Sequence, residues 1–595
     1  MAEGQEGAPQ RRKEKLRVPE MPADRLVTFQ AEPELVVLTM PDARVRATAT
    51  GPRSMSGAGV EELGRSLERA GLELVPMFGR EDRIAASVQA LRQSSRVEVP
   101  DLSRFYRLTA PRGELESLAK ELQSLDIIEA AYIKPPTTPP VYKLKVDLDL
   151  VRTNWRWDLL GLTDNFSADQ GYLDPAPGGI DARWAWTQSG GRGNGVRVID
   201  IEGNWRFTHE DLTQNQGGVV GSGTLQTGID WRNHGTAVLG EISGDVNLIG
   251  ILGIAPNANI RAISHGTIGS SEAIRQAADR LSPGDIMLLE MHRPGPLHNF
   301  AERDDQAGYI AVEWWEDDFA AIRYAVAKGV VVVEAAGNGA QNLDDDLYET
   351  RPTGFPSSWT NPFRRSNRDS GAVVVGAGAP PPGTHGFTWG ADRSRLDFSN
   401  WGALVDAQGW GSGVTTTGYG DKQGGTDEDL WYTDDFGGTS SASPIVTGAL
   451  ACAQGVLKAR GRIPLSPARA RQLLRASGSA QQAETGRPVS QRIGNRPNLR
   501  QLIPQALGTV SYTGVQFTGN LSAHQTKRWF TFNWPAHWHV VWTVVPTTPR
   551  PGGPEIRWKV QVERASDAFI TYWIEITNLT NTSFNVEGRF AVLGN

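Results

Sequence analysis

A chain of 595 residues is too long for one hydrophobic core, and a composition of 39% hydrophobic and 21% charged residues, with 66 glycines and 36 prolines, describes a loop-rich globular protein of several domains. The net charge of -7 comes without a strong basic or acidic block, which excludes the electrostatic footprint of a nucleic-acid or anionic-membrane binder. The single cysteine, Cys452, excludes an intrachain disulfide and a thiolate zinc site, and no apolar run is long enough to span a membrane.

In chain order, residues 1–23 are polar and mixed in charge and predict a disordered arm. They hold no apolar core of a secretory signal, so synthesis in the cytoplasm is expected, with any release by a leaderless route. Residues 24–140 then read as two similar units. Glu34 to Met40 is strand-like, Val60 to Ala70 an amphipathic helix and Leu72 to Met77 a second strand; Leu102 to Ala110, Gly113 to Leu125 and Ile127 to Ile133 repeat the order. Two βαβ units of this size predict a ferredoxin-like α+β domain. Lys134-Pro-Pro-Thr-Thr-Pro-Pro140 ends it, stiff because proline fixes φ. Residues 141–178 are irregular.

From 179 to 507 short apolar runs alternate with helical stretches. The runs are Gly195 to Ile201, Asn259 to Ser264, Ile286 to Met291, Val330 to Glu334 and Ala372 to Gly376; Ser271 to Arg280 and Asp318 to Lys328 are helical. That alternation predicts an α/β fold, a mostly parallel sheet covered by helices, with function at the carboxyl ends of its strands. Three residues sit where such chemistry would. Asp200 closes the first run. His234 lies in Asn-His-Gly-Thr, which looks like a helix start. Ser440 lies in Gly437-Gly-Thr-Ser-Ser-Ala-Ser-Pro-Ile-Val-Thr-Gly-Ala449, a glycine pair leading into a helix whose free N–H groups favour an oxyanion. A nucleophilic serine needs a base within reach, and the base needs a carboxylate to fix its tautomer.

On these residues the segment 179–507 resembles the subtilisin-like (S8) serine peptidases. The matching motifs are Val-Ile-Asp200, His234-Gly-Thr236 with Gly240, Ala335-Ala-Gly-Asn338 and Gly438-Thr-Ser440-Ser-Ala442-Ser-Pro444, with Gly253-Ile-Ala-Pro256 and Leu396-Asp-Phe-Ser-Asn-Trp-Gly402 as lesser ones. The resemblance implies a serine endopeptidase working through an acyl-enzyme on protein or peptide substrates, with Ser440 as nucleophile, His234 as base, Asp200 as its orienter and Asn338 as oxyanion donor. It also implies that Glu290, Met291 and His292, with Ala335, Ala336 and Gly337, line the substrate cleft. No cofactor is expected. Relatives often bind structural calcium, but the acidic runs Asp344 to Asp346 and Asp427 to Asp429 read as solvated loop faces, and no metal is assigned. The other functional class is a catalytically idle S8-like scaffold that binds proteins.

The chain departs from the family at two places. Ile201-Glu202-Gly203 follows Asp200, which brings a second carboxylate near the triad, and Glu290-Met-His292 stands where the family has small residues. Glu290 either recharges the cleft or pairs with Arg293. His209, in a polar loop after the Asp strand, is expected to be structural. The ferredoxin-like unit resembles the family's intramolecular chaperone and inhibitor, whose tail occupies the groove, so a self-processing zymogen is expected. Its cut is placed within 141–178, because the prolines of 134–140 remove N–H groups that an extended substrate uses. Residues 508–595, with alternating strand-like runs and six of the 19 tryptophans, predict a small antiparallel β-sandwich.

Overall fold

The computed structural model of the chain describes residues 33–95, 97–141, 163–508, 510–536, 538–548 and 552–593. The expected arm, 1–23, and residues 142–162 of the expected processing stretch lie outside the described residues.

The amino-terminal unit runs β1 (Glu34–Thr39), α1 (Glu61–Ala70), β2 (Val75–Pro76), α2 (Glu81–Ser94), β3 (Phe105–Thr109), α3 (Arg112–Leu122) and β4 (Ile128–Lys134). Its strands pair antiparallel in the order β2-β3-β1-β4. Strand alternation gives the sheet two buried faces. Leu35 and Val37 pack with Leu63, Leu67, Leu115 and Leu122 of α1 and α3. Val36, Leu38, Phe105 and Tyr132 face the other way, into the core of the next domain. The sequence reading passes over α2, although Ile84 and Val88, four residues apart and both buried, carry its apolar face.

The large domain contains β5 (Arg197–Glu202), β6 (Gln216–Val219), α4 (Ile229–Ser243), β7 (Asn259–Ser264), α5 (Ser270–Arg280), β8 (Ile286–Leu289), α6 (Glu316–Ala327), β9 (Val331–Ala335), β10 (Val373–Gly378), β11 (Ala407–Trp410) and the long α7 (Thr439–Ala459). Seven strands form one sheet in the order β11-β10-β9-β8-β5-β7-β6, every pair parallel. Neighbouring residues go to opposite layers. Val198, Leu288 and Val333 pack against α4 and α7, whereas Ile199, Met287 and Val332 pack against α5 and α6. A parallel sheet stabilised from both faces is the α/β architecture that the alternation predicts.

The amino-terminal unit docks on the α5–α6 layer. Tyr132 Oη donates to Asp317 Oδ1 at 2.8 Å, and the buried Lys134 ammonium reaches Glu34 (3.0 Å), Asp318 (3.4 Å) and Asp317. Its continuation, Pro135 to Val141, runs along the carboxyl ends of the sheet.

Beyond the large domain come β12 (Val510–Leu521), β13 (Thr526–Pro535), β14 (Val540–Pro546), β15 (Ile556–Glu563), β16 (Phe569–Asn578) and β17 (Phe584–Leu593). They make two three-stranded antiparallel sheets, β12-β17-β14 and β13-β16-β15. Leu521, Trp534, Trp542, Ile574, Ile576 and Val586 fill the space between. Trp573 instead lies on the outer face, its ring 5.2 Å from Phe530.

Candidate active site

Parallel strands deliver their carboxyl ends to one edge, and the candidate residues gather there. Gly438 stands in front of α7 at φ +115°, a conformation that L side chains rarely adopt, and its empty side is a cradle. A Cβ there would lie 2.0 Å from the Pro140 carbonyl oxygen and 3.2 Å from Asn338 Nδ2. Ser440 follows in the first turn of α7, fully buried, and its Oγ donates to that same Pro140 oxygen at 2.7 Å.

Asn338 follows Gly337 beyond the end of β9. Its Oδ1 accepts from Thr439 N (2.9 Å) and Thr439 Oγ1 (3.0 Å), which fixes the amide plane. Its Nδ2 donates to Gln306 Oε1 at 3.1 Å rather than to the tail carbonyl. Gln306 in turn donates through Nε2 to the Pro139 oxygen at 3.0 Å. Nothing in the polar run around Gln306 marks it in the sequence. Ala335 and Ala336 are buried beneath, with the Ala336 carbonyl held by Asn400 Nδ2 at 2.7 Å, and Gly337 N–H donates to Thr439 Oγ1 at 3.2 Å.

His234 lies inside α4, fully buried, with Phe436 packed edge-on against its ring. The carboxylate on its Nδ1 is Glu202, at 2.7 Å, and not Asp200, the orienter that the motif predicts. The reason is strand length and period. β5 runs one residue beyond its predicted end, to Glu202 opposite Ser264, and residues two apart on a strand share a face. Glu202 is therefore the group at the strand's tip, and Asp200 sits one step behind. Asp200 Oδ2 accepts from Trp205 Nε1 at 2.7 Å. Among the described residues, its other oxygen and Glu202 Oε1 are buried without a donor. Burial, then the neighbouring Glu202 charge, pushes Asp200 well above the usual carboxylate range; burial pushes Glu202 up as well. His234 is pulled down to about 3 by burial, with Asp200 and Asp230 opposing. Among the described residues its Nε2 is buried and unpartnered, so Ser440 and His234 are not joined while the tail carbonyl holds Ser440 Oγ.

The cleft wall differs from expectation. Glu290 is fully buried and its Oε1 accepts from Ser443 Oγ on α7 at 2.6 Å, so it neither faces the cleft nor pairs with Arg293. Glu290 comes two residues after Leu288 and so shares its face, toward α7. Arg293 is spent instead on Asp318 (3.4 Å), Ser270 and the Pro135 carbonyl. Met291 packs into the α5–α6 side of the core. His292 does meet the tail, through its main chain: Thr138 N–H donates to His292 O (3.2 Å) and His292 N–H to Thr138 O (3.1 Å), an antiparallel pairing.

His209 is held as a structural group, with Nε2 2.8 Å from the Trp431 carbonyl and Nδ1 accepting from Asp211 N–H at 3.2 Å. The acidic runs answer to local partners. Glu428 and Asp429 pair with Arg206, Asp346 pairs with Arg364, and Asp345 and Asp427 each accept a backbone N–H.

Comparison with known proteins bears on the same region. The model of the Subtilase family matches residues 197–495, half of the chain. Alkaline elastase YaB of a Bacillus species is 28% identical over 265 residues, which is 44% of this chain and 54% of that protein. Subtilisin DY of Bacillus licheniformis is 27% identical over 270 residues, 44% of this chain and 77% of its own. A calcium-dependent protease of a Nostoc species is 29% identical over 291 residues, 45% of this chain and 39% of its own. Two of these three relatives are thus matched over about half of their length or less. With half of the chain under the family model, and beneath it the parallel sheet that the motifs implied, the chain belongs to the subtilase family.

Proposed function

We propose that this chain is a serine endopeptidase, made as a zymogen whose amino-terminal unit inhibits it. The observation that carries the reading is the tail in the cleft: a peptide paired antiparallel to His292 and ending with its Pro140 carbonyl on Ser440 Oγ. That is how a substrate would present a carbonyl to a nucleophile. Ser440 Oγ adds to the carbonyl carbon while His234 Nε2 takes its proton, and Glu202 accepts from Nδ1–H and stabilises the imidazolium. Charge that develops on the carbonyl oxygen falls in the cradle over Gly438, where Asn338 Nδ2 and the Ser440 N–H serve it. Loss of one such donor costs roughly 10²- to 10³-fold in kcat. Asp200 is then a positioning residue, buried beside Glu202 on the same strand face and fixed by Trp205 Nε1. The mechanism needs no cofactor.

Labelling with a fluorophosphonate tests the reading. Wild type is expected to label at Ser440 once the tail has left, and Ser440→Ala to take up none. A folded, tail-free wild type without label would leave the idle scaffold as the better account. Self-processing adds a mass criterion: Ser440→Ala is expected to stay one species of 64.7 kDa, whereas wild type separates into an amino-terminal fragment and a longer remainder.

A further inference from the structure

Resting on the peptidase reading above, we infer that the bond this site cuts in its own chain is Pro140–Val141, and that its substrate class is peptides cleaved after proline. The sequence argues against this, because a proline lacks the N–H that a strand-like substrate usually contributes. The structure removes the objection. Among the described residues, the tail pairs with the wall through the two backbone bonds at Thr138 and His292. The wall then leaves it, since Glu290 N–H is already given to Ile201 O at 3.2 Å. Positions 139 and 140 are held through their carbonyls instead. The Pro139 oxygen takes Gln306 Nε2 at 3.0 Å and Val141 N–H at 2.9 Å, and the Pro140 oxygen takes Ser440 Oγ at 2.7 Å.

A site that reads carbonyls at these two positions loses nothing when the residue is an imino acid. It also gains stiffness. The fixed φ of proline means that less conformational freedom is lost on binding. Both rings are buried, so the acyl-side pocket takes a small apolar group. The Glu290 carboxylate is turned onto Ser443 and offers no partner to a basic residue there.

The step balances within the chain. Ser440 Oγ forms an ester with the Pro140 carbonyl carbon, the carbon–nitrogen bond to Val141 breaks, and the serine proton passes through His234 to the Val141 nitrogen as a new amine. Water then hydrolyses the ester, leaving a Pro140 carboxylate and free Ser440.

Intact mass and amino-terminal sequencing of the purified full chain test the junction. The expected products are a fragment ending at Pro140 and a remainder beginning at Val141, with Ser440→Ala uncut. The processed enzyme should then cut a quenched Thr-Thr-Pro-Pro-Val-Tyr peptide at its Pro–Val bond, and the same peptide with lysine for the second proline at least about tenfold more slowly. A wild-type chain that stays whole, a cut at any other bond, or equal rates on the two peptides would overturn the inference. Fluorophosphonate labelling of Ser440 decides the peptidase reading separately, since it does not depend on which bond is cut.

Discussion

At the scale of single residues the site turns on which carboxylate does what. Glu202 holds the imidazole directly, so Glu202→Gln is expected to lower kcat by roughly 10³- to 10⁴-fold, as loss of the orienting acid favours the wrong tautomer. Asp200→Asn keeps an acceptor for Trp205 and does not touch the imidazole, but it removes the carboxyl beside Glu202, and should cost far less, about tenfold, the scale of one supporting contact. Steady-state kinetics on the two variants separate the roles; a larger loss at Asp200 would reverse the assignment. His234→Ala should abolish hydrolysis. His209→Ala should instead keep most activity and lower stability by about 1–3 kcal/mol, because it leaves the Trp431 carbonyl and the Asp211 N–H without their buried partner. Denaturant midpoints beside kcat/KM will show which property each histidine carries. The motifs named Ser440, His234 and Asn338, and the structure gathers these three at one edge of the sheet. The same motifs pointed to Asp200 as the orienter, whereas the carboxylate on the imidazole is Glu202, since a motif marks a position in a string and the outcome depended on where strand β5 ends.

At the scale of elements, pattern was informative where one periodicity dominated. β7 was predicted with its observed bounds, Asn259–Ser264, because a buried parallel strand is a continuous apolar run. β12 lies ahead of the first predicted strand-like run of its segment, Lys527 to Asn533, because Gly514 and Gly519 weaken its pattern. Their role is visible only in three dimensions. A Cβ on Gly519 would lie 2.4 Å from the Trp529 ring and one on Gly514 2.9 Å from Phe590, so the glycines make room for aromatic rings of facing strands. The end of β4 was likewise hidden. Lys134 reads as a polar boundary before the prolines, yet its ammonium is fully buried among Glu34, Asp317 and Asp318. Removing the cation leaves buried acids unpaired, which costs about 3–5 kcal/mol. Lys134→Met should therefore lower the urea midpoint of the Ser440→Ala chain and detach the amino-terminal unit at lower denaturant than the rest. A single cooperative transition unchanged by the substitution would mean that this network does not hold the unit in place.

At the scale of the whole molecule, the contact between the amino-terminal unit and the cleft is built on histidines that cannot charge while it lasts. His292 pairs with Thr138 through its main chain, and His265 lies with Nε2 3.4 Å from Thr137 Oγ1. Burial pulls His265 down to about 3, helped by the Arg293 and Lys134 charges, and pulls His292 well below the usual imidazole range. When the tail leaves, both rings are expected to meet water and move back toward 6.5, His292 giving up the Asn338 N–H that its Nδ1 accepts at 3.3 Å. The tail-free state then binds more protons at any pH between the two values. By linkage, docking is strongest above 6.5 and is lost as the pH falls, by up to about tenfold per pH unit for each histidine that charges. The other charges facing this stretch do not cancel the effect. Lys134 keeps its proton throughout, and it holds Asp317 below the usual carboxylate range, so neither changes charge between pH 7 and 5. Asp318, pushed up by burial, works the other way, but it is one group against two. Asp200, Glu202 and Glu290 are also raised, yet Asp200 and Glu202 lie along β5 and Glu290 is turned onto α7, so uncovering the cleft changes their burial little. Acid should therefore loosen the tail. In the Ser440→Ala chain, which cannot cut itself, the hydrogen-exchange protection factor of the His292 amide is expected to fall at least tenfold between pH 7 and pH 5, while amides of the central strand β8 stay protected. Equal protection of His292 at the two pH values would show that these histidines remain covered when the tail moves.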